Sequence, residues 1–126
     1  MKILLVEDNL LNQKVVCFHL RKLHYEVVAV TNWRDAMREV TNNSPELILM
    51  DIMLPEKNGF EITADIRKYE EDLGVKEGVP IVALTANTLD NDKDKCLKAG
   101  MNDYLPKPFS PDELYAVIEQ FATSGK

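Results

Sequence analysis

The stretch LILMD, residues 47–51, decides the fold of this chain, because four successive apolar residues end on a carboxylate, Asp51. A short continuous apolar run is typical of a parallel strand that is buried on both faces. The stretch ILLV, residues 3–6, shows the same pattern and is followed by Glu7 and Asp8. An ionised carboxylate at the end of a buried strand is costly unless it is paired or binds a cation. Three such acids indicate a metal and phosphate site rather than surface charge.

Strand-like segments alternate with amphipathic segments along the whole chain. The predicted strands are Lys2–Val6, Glu26–Val30, Leu47–Asp51, Pro80–Leu84 and Asp103–Leu105. Strands that alternate with helices predict an α/β fold with a parallel sheet covered by helices on both faces. We expect one domain over residues 1–122, and a frayed tail or linker over residues 123–126.

Helical spacing predicts which face of the first helix, near residues 9–23, packs against the core. That spacing places Asn12, Val15, Val16, His19 and Leu23 on one face. We expect His19 to be a packed or half-buried histidine rather than a metal ligand, because no second histidine shares its face.

Other helix boundaries follow from capping residues. Asn32 is placed to cap the second helix, and the third helix follows Asn58 and Gly59. The fourth is predicted from about Thr88 to a left-handed cap at Gly100, with first turns that offer little to a core. The last begins at the capping sequence SPDE, residues 110–113.

Composition excludes several classes of protein. The chain has 126 residues, a net charge of −6 and a pI near 4.9, which argue against a nucleic-acid surface. No apolar run approaches the roughly 20 residues of a membrane span, and the start of the chain predicts no signal peptide. We therefore expect a cytoplasmic protein. Cys17 and Cys96 are expected to be buried thiols rather than a disulfide.

The strand ends bring together the groups of a phosphoryl acceptor. All strands of a parallel sheet end at the same edge, where ligands bind. Asp51 would be the nucleophile, and Mg²⁺ or a similar ion held by the acids would neutralise the transferring oxygens together with Lys107. Thr85 would donate a hydrogen bond to one of those oxygens.

Each signal has a simpler reading when it is taken alone. Asp8 can be a helix cap, Thr85 the end of a strand, and Lys107 a solvated loop residue. Pro106 and Pro108 flank Lys107, however, and restrict its backbone as a positioned charge requires. Either proline is also a candidate for a cis peptide bond.

Four motifs together resemble the receiver domain of two-component response regulators, over essentially the whole chain. They are VEDN at residues 6–9, DIMLP at residues 51–55 with Asn58-Gly59, ALTAN at residues 83–87, and YLPKPF at residues 104–109. The stretches NLLNQKV at residues 9–15 and ALTAN at residues 83–87 are most similar to receivers of hybrid sensor histidine kinases. His24, Trp33 and Leu54 depart from residues common in the family. His24 is a non-glycine candidate for a left-handed cap, and Trp33 is either a lid on the start of its helix, which we favour, or an exposed contact.

The resemblance implies a flavodoxin-like fold with strand order 2-1-3-4-5 and five helices. It implies that Asp51 is phosphorylated from a sensor histidine kinase or a histidine phosphotransfer protein. Mg²⁺ or Mn²⁺ would be held by Asp8, Asp51 and the backbone carbonyl of Met53, with Glu7 joining through water.

The resemblance further implies a signalling output rather than an enzyme, apart from intrinsic autophosphorylation and autodephosphorylation. Thr85 and Tyr104 match the switch pair, in which the hydroxyl moves toward the phosphoryl group and the ring turns inward. The face formed by the fourth helix, fifth strand and fifth helix would then change its affinity for a downstream protein. We expect no nucleic acid and no membrane as partners.

Two rival functions remain. A haloacid dehalogenase-like aspartyl-phosphate phosphatase also uses an aspartate at a strand end, but it needs a second aspartate two residues later, and position 53 is Met. The other rival is a degenerate receiver that binds partners without phosphate, against which the intact set of acids, Thr85 and Lys107 speaks.

Overall fold

The computed structural model describes the backbone of residues 1–85 and 90–124, and the side chains of residues 1–85 and 94–122. The elements in chain order are β1 (Lys2–Val6), α1 (Leu10–Lys22), β2 (Glu26–Val30), α2 (Trp33–Asn43), β3 (Leu47–Asp51), α3 (Gly59–Asp72), β4 (Ile81–Thr85), α4 (Asp90–Ala99), β5 (Asp103–Pro106) and α5 (Pro111–Ser124). The predicted start of the fourth helix at Thr88, the motif residues 86–87 and the tail residues 125–126 lie outside the described residues.

The sheet is parallel throughout, in the order β2-β1-β3-β4-β5, which confirms the predicted topology. Register places Val6 beside Met50 and Asp51 beside Leu84, so β1, β3 and β4 end at one edge. The strand β4 begins one residue later than predicted, because Pro80 has no N–H to donate to the ladder; its carbonyl accepts from the Ile48 N–H at 2.9 Å.

Two apolar cores lie on the two faces of the sheet. One contains Val16 and Leu20 of α1 together with Leu114 and Ile118 of α5. The other is built from α2, α3 and α4, with Ala36, Ile62, Ile66 and Cys96 among its buried residues. Strand residues alternate between the two cores, as the period of a strand requires.

The core side predicted for α1 was wrong by about one residue. The buried residues are Val16, Cys17 and Leu20, while Val15 is half exposed and Leu23 is also exposed. His19 is partly buried, with its ring edge-on to Phe18 and Tyr115, as a packed histidine would be. Residues 15–18 are continuously apolar, so hydrophobic spacing alone does not determine which of them faces the sheet.

Helix caps follow the predicted signals, with one informative exception. Asn32 and Asn58 accept the expected N–H bonds, and Ser110 and Glu113 form the predicted capping box. In α1 the cap is Asn9, whose side chain accepts from the Asn12 N–H. The cap is therefore not Asp8, and the simpler reading of that residue loses its support.

Turn residues also confirm several predictions. His24 and Gly100 both have positive φ, at 68° and 102°. Cys17 and Cys96 are buried free thiols. α5 is helical to Ser124, and the domain boundary at residue 122 stays a prediction. Within the described part of the chain, no helix has the length and apolar character needed to cross a membrane.

Candidate functional site

An acidic cluster lies at the carboxyl edge of the sheet, where β1 and β3 end. Glu7, Asp8 and Asp51 each offer a carboxylate oxygen, and these oxygens lie within 4.8 Å of one another. Glu7 and Asp51 are only 2% and 5% exposed, whereas Asp8 faces solvent. Two buried acids and one accessible acid, all hard oxygen donors without histidine or cysteine, match the ligand preference of Mg²⁺ and Mn²⁺.

The loop after β3 adds its backbone to this cluster. The Met53 N–H donates to Asp51 Oδ1 at 3.0 Å and fixes the rotamer of that carboxylate. Met53 is 74% exposed, so the residue takes part through its backbone rather than through its thioether. Coordination by its carbonyl stays a prediction.

Lys107 closes the site from the loop after β5. Its Nζ lies 2.9 Å from Glu7 Oε1 and 3.5 Å from Asp51 Oδ2. Its backbone N–H donates to the Thr85 carbonyl at 2.6 Å, and the Lys107–Pro108 peptide bond is cis. The lysine is therefore positioned by the neighbouring strand and is not a solvated loop residue.

Burial and hydrogen bonding set opposite pKa shifts in the two buried acids. Burial, reinforced by the hydrogen bond that the protonated Asp51 carboxyl donates to Glu7, raises the pKa of Asp51 to about 7. Burial also opposes ionisation of Glu7, but hydrogen bonds to Asp51 and Lys107 and the lysine charge lower its pKa overall. For Lys107, burial is outweighed by these two acids, and its pKa is raised. Without a cation, the pair therefore binds a proton on Asp51 more readily than on Glu7.

Two supporting residues were not assigned a role from the sequence. The Gln13 side chain donates to the backbone carbonyls of Glu7 at 2.7 Å and Val30 at 2.9 Å, joining the ends of β1 and β2. Gly59 lies against the end of β3, where a Cβ would come within 2.6 Å of the Asp51 carbonyl oxygen. Only the position of Gln13, in the first turn of the helix that follows β1, could have suggested its role.

Thr85 and Tyr104 share one face of the sheet. Thr85 is the last residue of β4 and is 3% exposed. Tyr104 lies beside Ala83 in the register of β4 and β5, and its ring packs partly buried against the core under α3 and α4. Because alternate residues of a strand point to the same face, Thr85 faces the same side as Ala83 and Tyr104. The structure thus brings all predicted site residues to one edge, with Tyr104 below it.

The sequence matches the family described as response regulator receiver domain over residues 3–119. Hybrid signal transduction histidine kinase H of Dictyostelium discoideum is 42% identical over 124 residues, which are 95% of this chain and 9% of that protein. Sensor protein GacS of Pseudomonas syringae pv. syringae is 38% identical over 117 residues, which are 93% of this chain and 13% of that protein. The chain thus spans a small part of these curated relatives.

Two solved structures are similar over nearly the whole chain. One is the receiver domain of sensor histidine kinase PA1611 from Pseudomonas aeruginosa PAO1, crystallised with a magnesium ion coordinated in the active site cleft. It is 44% identical with a TM-score of 0.83, and 95% of each chain is covered. The other is the receiver domain of Ssk1 from Saccharomyces cerevisiae, in a crystal with the histidine phosphotransfer protein Ypd1. It is 35% identical with a TM-score of 0.85, covering 96% of this chain and 86% of that chain.

Proposed function

The chain belongs to the response regulator receiver domain family, whose members are phosphorelay signalling switches, and we propose that Asp51 is its phosphoryl acceptor. The observation that carries this proposal is the convergence of three carboxylates within 4.8 Å, with the Lys107 ammonium 3.5 Å from Asp51. This arrangement supplies a nucleophile, a cation site and a fixed positive charge at one sheet edge.

The phosphoryl donor is proposed to be a phosphohistidine of a sensor histidine kinase or a histidine phosphotransfer protein. A carboxylate oxygen of Asp51 attacks phosphorus, an O–P bond forms, and the P–N bond breaks with its electron pair leaving on the imidazole nitrogen, which takes up a proton. Mg²⁺ or Mn²⁺, when bound, neutralises charge on the transferring oxygens. Asp8, Asp51 and the Met53 carbonyl would hold the ion, and Glu7 would join through water.

Lys107 is proposed to change partners when the phosphoryl group arrives. In the structure its Nζ lies closer to Glu7 Oε1, at 2.9 Å, than to Asp51 Oδ2. A phosphoryl group on Asp51 adds negative oxygens beside that ammonium, so the lysine gains a stronger acceptor.

The output is proposed to run through Thr85 and Tyr104. Thr85 would move its hydroxyl toward the phosphoryl group, and the Tyr104 ring would turn into the space that this movement opens. The face of α4, β5 and α5 would then bind a downstream protein differently. Intrinsic autophosphorylation and autodephosphorylation, a cytoplasmic location, and the absence of nucleic-acid partners belong to the same proposal.

Apolar side chains near the acids support docking of a donor protein. Leu10, Leu11, Val15 and Phe18 of α1 are each at least half exposed. A cavity of about 460 Å³ lies between α1 and the loop after β5, with Val15 and Phe109 in its wall beside Lys107 and Glu7. A donor that brings a histidine to Asp51 must cover the surface around the site, and these side chains offer it apolar contacts.

The test is phosphorylation by acetyl phosphate with Mg²⁺, read by intact mass. The wild type should gain one phosphoryl group, and Asp51→Asn should gain none, because the amide lacks the nucleophilic oxygen. A wild type that stays unlabelled, or a fully labelled Asp51→Asn, would contradict the proposal.

A further inference from the structure

Trp33, the only tryptophan of the chain, contacts the loop that follows β3. It is the first residue of α2, and its ring packs partly buried against the core beneath α2 and α3. The Nζ of Lys57 lies 4.3 Å from the centroid of the Trp33 ring. The same Nζ lies 2.8 Å from Asp65 Oδ2 on α3. A single loop ammonium therefore joins two helices.

The Trp33 indole interacts through the face of its ring rather than through its N–H group. The Trp33 Nε1 is buried and has no hydrogen-bond partner among the described residues. A buried tryptophan usually finds a partner for its N–H, so the position of this ring is favoured by its packing and by the cation over its face. The Lys57 and Asp65 side chains are 37% and 34% exposed, so screening weakens their ion pair but does not remove it.

The loop that carries Lys57 is closed on itself by backbone hydrogen bonds. The Gly59 N–H donates to the Ile52 carbonyl at 3.0 Å, and the Lys57 N–H donates to the Pro55 carbonyl at 2.8 Å. Glu56 has φ of 66°, in the left-handed region that a non-glycine residue adopts at a cost. Met53 lies within this loop and is tied to Asp51 by its own N–H. Lys57 and Met53 therefore lie in one hydrogen-bonded loop.

We propose that Trp33 and Lys57 are positioning residues for the metal site, forming a clamp that fixes residues 52–58 so that the Met53 carbonyl faces the acids. The inference rests on the proposed function, because that function assigns the carbonyl as a ligand. Outer residues that orient ligands commonly affect metal affinity strongly.

A purely electrostatic role and a positioning role of Lys57 predict opposite changes in Mg²⁺ affinity when the lysine is removed. If the lysine acted only through its charge, its removal would take a positive charge from the domain and would strengthen Mg²⁺ binding. If it positions the loop, removal weakens binding, because the carbonyl is no longer held in place.

The experiment is Mg²⁺ titration of the whole chain by calorimetry. Lys57→Met and Trp33→Leu should each weaken the affinity about three- to tenfold, and the double variant should lose no more than either alone, because both remove one clamp. Lys57→Arg should stay within about twofold of wild type, since a guanidinium keeps the ring and carboxylate contacts. Lys68→Met, at an exposed position of α3, is the control for charge and should leave the affinity unchanged.

Affinity equal to or above wild type in Lys57→Met would overturn the clamp, as would losses that add in the double variant. If Trp33→Leu does not fold, Lys57→Met against Lys57→Arg decides the question, because Lys57 is partly exposed. A wild type that binds no Mg²⁺ would overturn the metal site and the clamp together. Wild-type binding with unchanged variants would overturn the clamp alone.

Discussion

Lys107 is paired with Glu7 more closely than with Asp51, with its Nζ at 2.9 Å from Glu7 Oε1 and at 3.5 Å from Asp51 Oδ2. Glu7 is 2% exposed, so this ion pair neutralises a carboxylate that water reaches poorly. The lysine therefore has a structural partner before any phosphoryl group is present, and its removal affects stability as well as signalling.

Lys107→Met should destabilise the metal-free domain by roughly 1–3 kcal/mol near neutral pH, because a buried carboxylate loses its counter-charge. Partial protonation of the acids limits the cost. Urea unfolding in chelator measures it, with Lys98→Met, at an exposed position near the end of α4, as the control. A stability unchanged by Lys107→Met would mean that the pair contributes nothing to the fold.

The metal-free domain should lose stability as pH rises from about 4 to about 7, through Asp51. Its pKa is raised from 3.8 to about 7 in the folded chain, so the folded state keeps a proton that the unfolded chain releases. That contribution is fully present below about pH 4 and is lost as pH passes 7. The lowered pKa of Glu7 acts in the opposite sense and only in more acidic solution.

The matched variant for this pH dependence is Asp51→Asn, which cannot ionise. Between about pH 5 and pH 8, wild type should lose roughly 1–3 kcal/mol relative to the variant, measured by denaturant unfolding in chelator. Saturating Mg²⁺ should stabilise wild type most at the upper end of this range. If the difference in unfolding free energy between wild type and Asp51→Asn does not change with pH, Asp51 is not the group with the raised pKa.

The topology could be predicted because fully buried parallel strands consist of continuous apolar runs, of which residues 47–50 are the clearest. The orientation of α1 could not be predicted, because the four successive apolar residues 15–18 point to all sides of the helix. Asp8 and Asn9 are both good capping residues, so only the structure shows that Asn9 caps the helix. The pairing of Lys107 with Glu7 joins residues 100 positions apart, which no local pattern specifies.

Asp8→Asn should raise the melting temperature of the metal-free domain and weaken its response to Mg²⁺. Since Asn9 provides the cap, the substitution leaves α1 capped and removes one negative charge from the acidic cluster. The gain should be about 0.5–1 kcal/mol, measured by thermal unfolding with and without Mg²⁺. A lower melting temperature together with unchanged Mg²⁺ binding would mean that Asp8 is structural.

Gly59→Ala should destabilise the domain by roughly 1–3 kcal/mol, because the added Cβ meets backbone that cannot move aside. A Cβ at position 59 would lie 2.6 Å from the Asp51 carbonyl oxygen. Gly78→Ala is the matched comparison, since its Cβ would meet only the far ends of the flexible Arg67 and Glu70 side chains. Chemical denaturation should therefore rank Gly59→Ala well below Gly78→Ala in stability, and equal values would argue against the close approach.

Thr85→Ala should separate the receipt of a phosphoryl group from the response to it. The hydroxyl is not needed for attack by Asp51, where the cation and Lys107 supply most of the charge stabilisation, so the variant should still be labelled by acetyl phosphate. It lacks the group whose movement would open space for Tyr104, which shares its sheet face.

The readout is the backbone amide shifts of residues 88–108 before and after addition of beryllofluoride, which mimics the phosphoryl group. Wild type and Thr85→Ser should shift strongly through Tyr104, whereas Thr85→Ala should shift only around Asp51. Equal shifts in all three proteins would show that the hydroxyl does not carry the signal, and Lys107 would then be the better candidate, because it contacts the same acids and its backbone is bonded to Thr85.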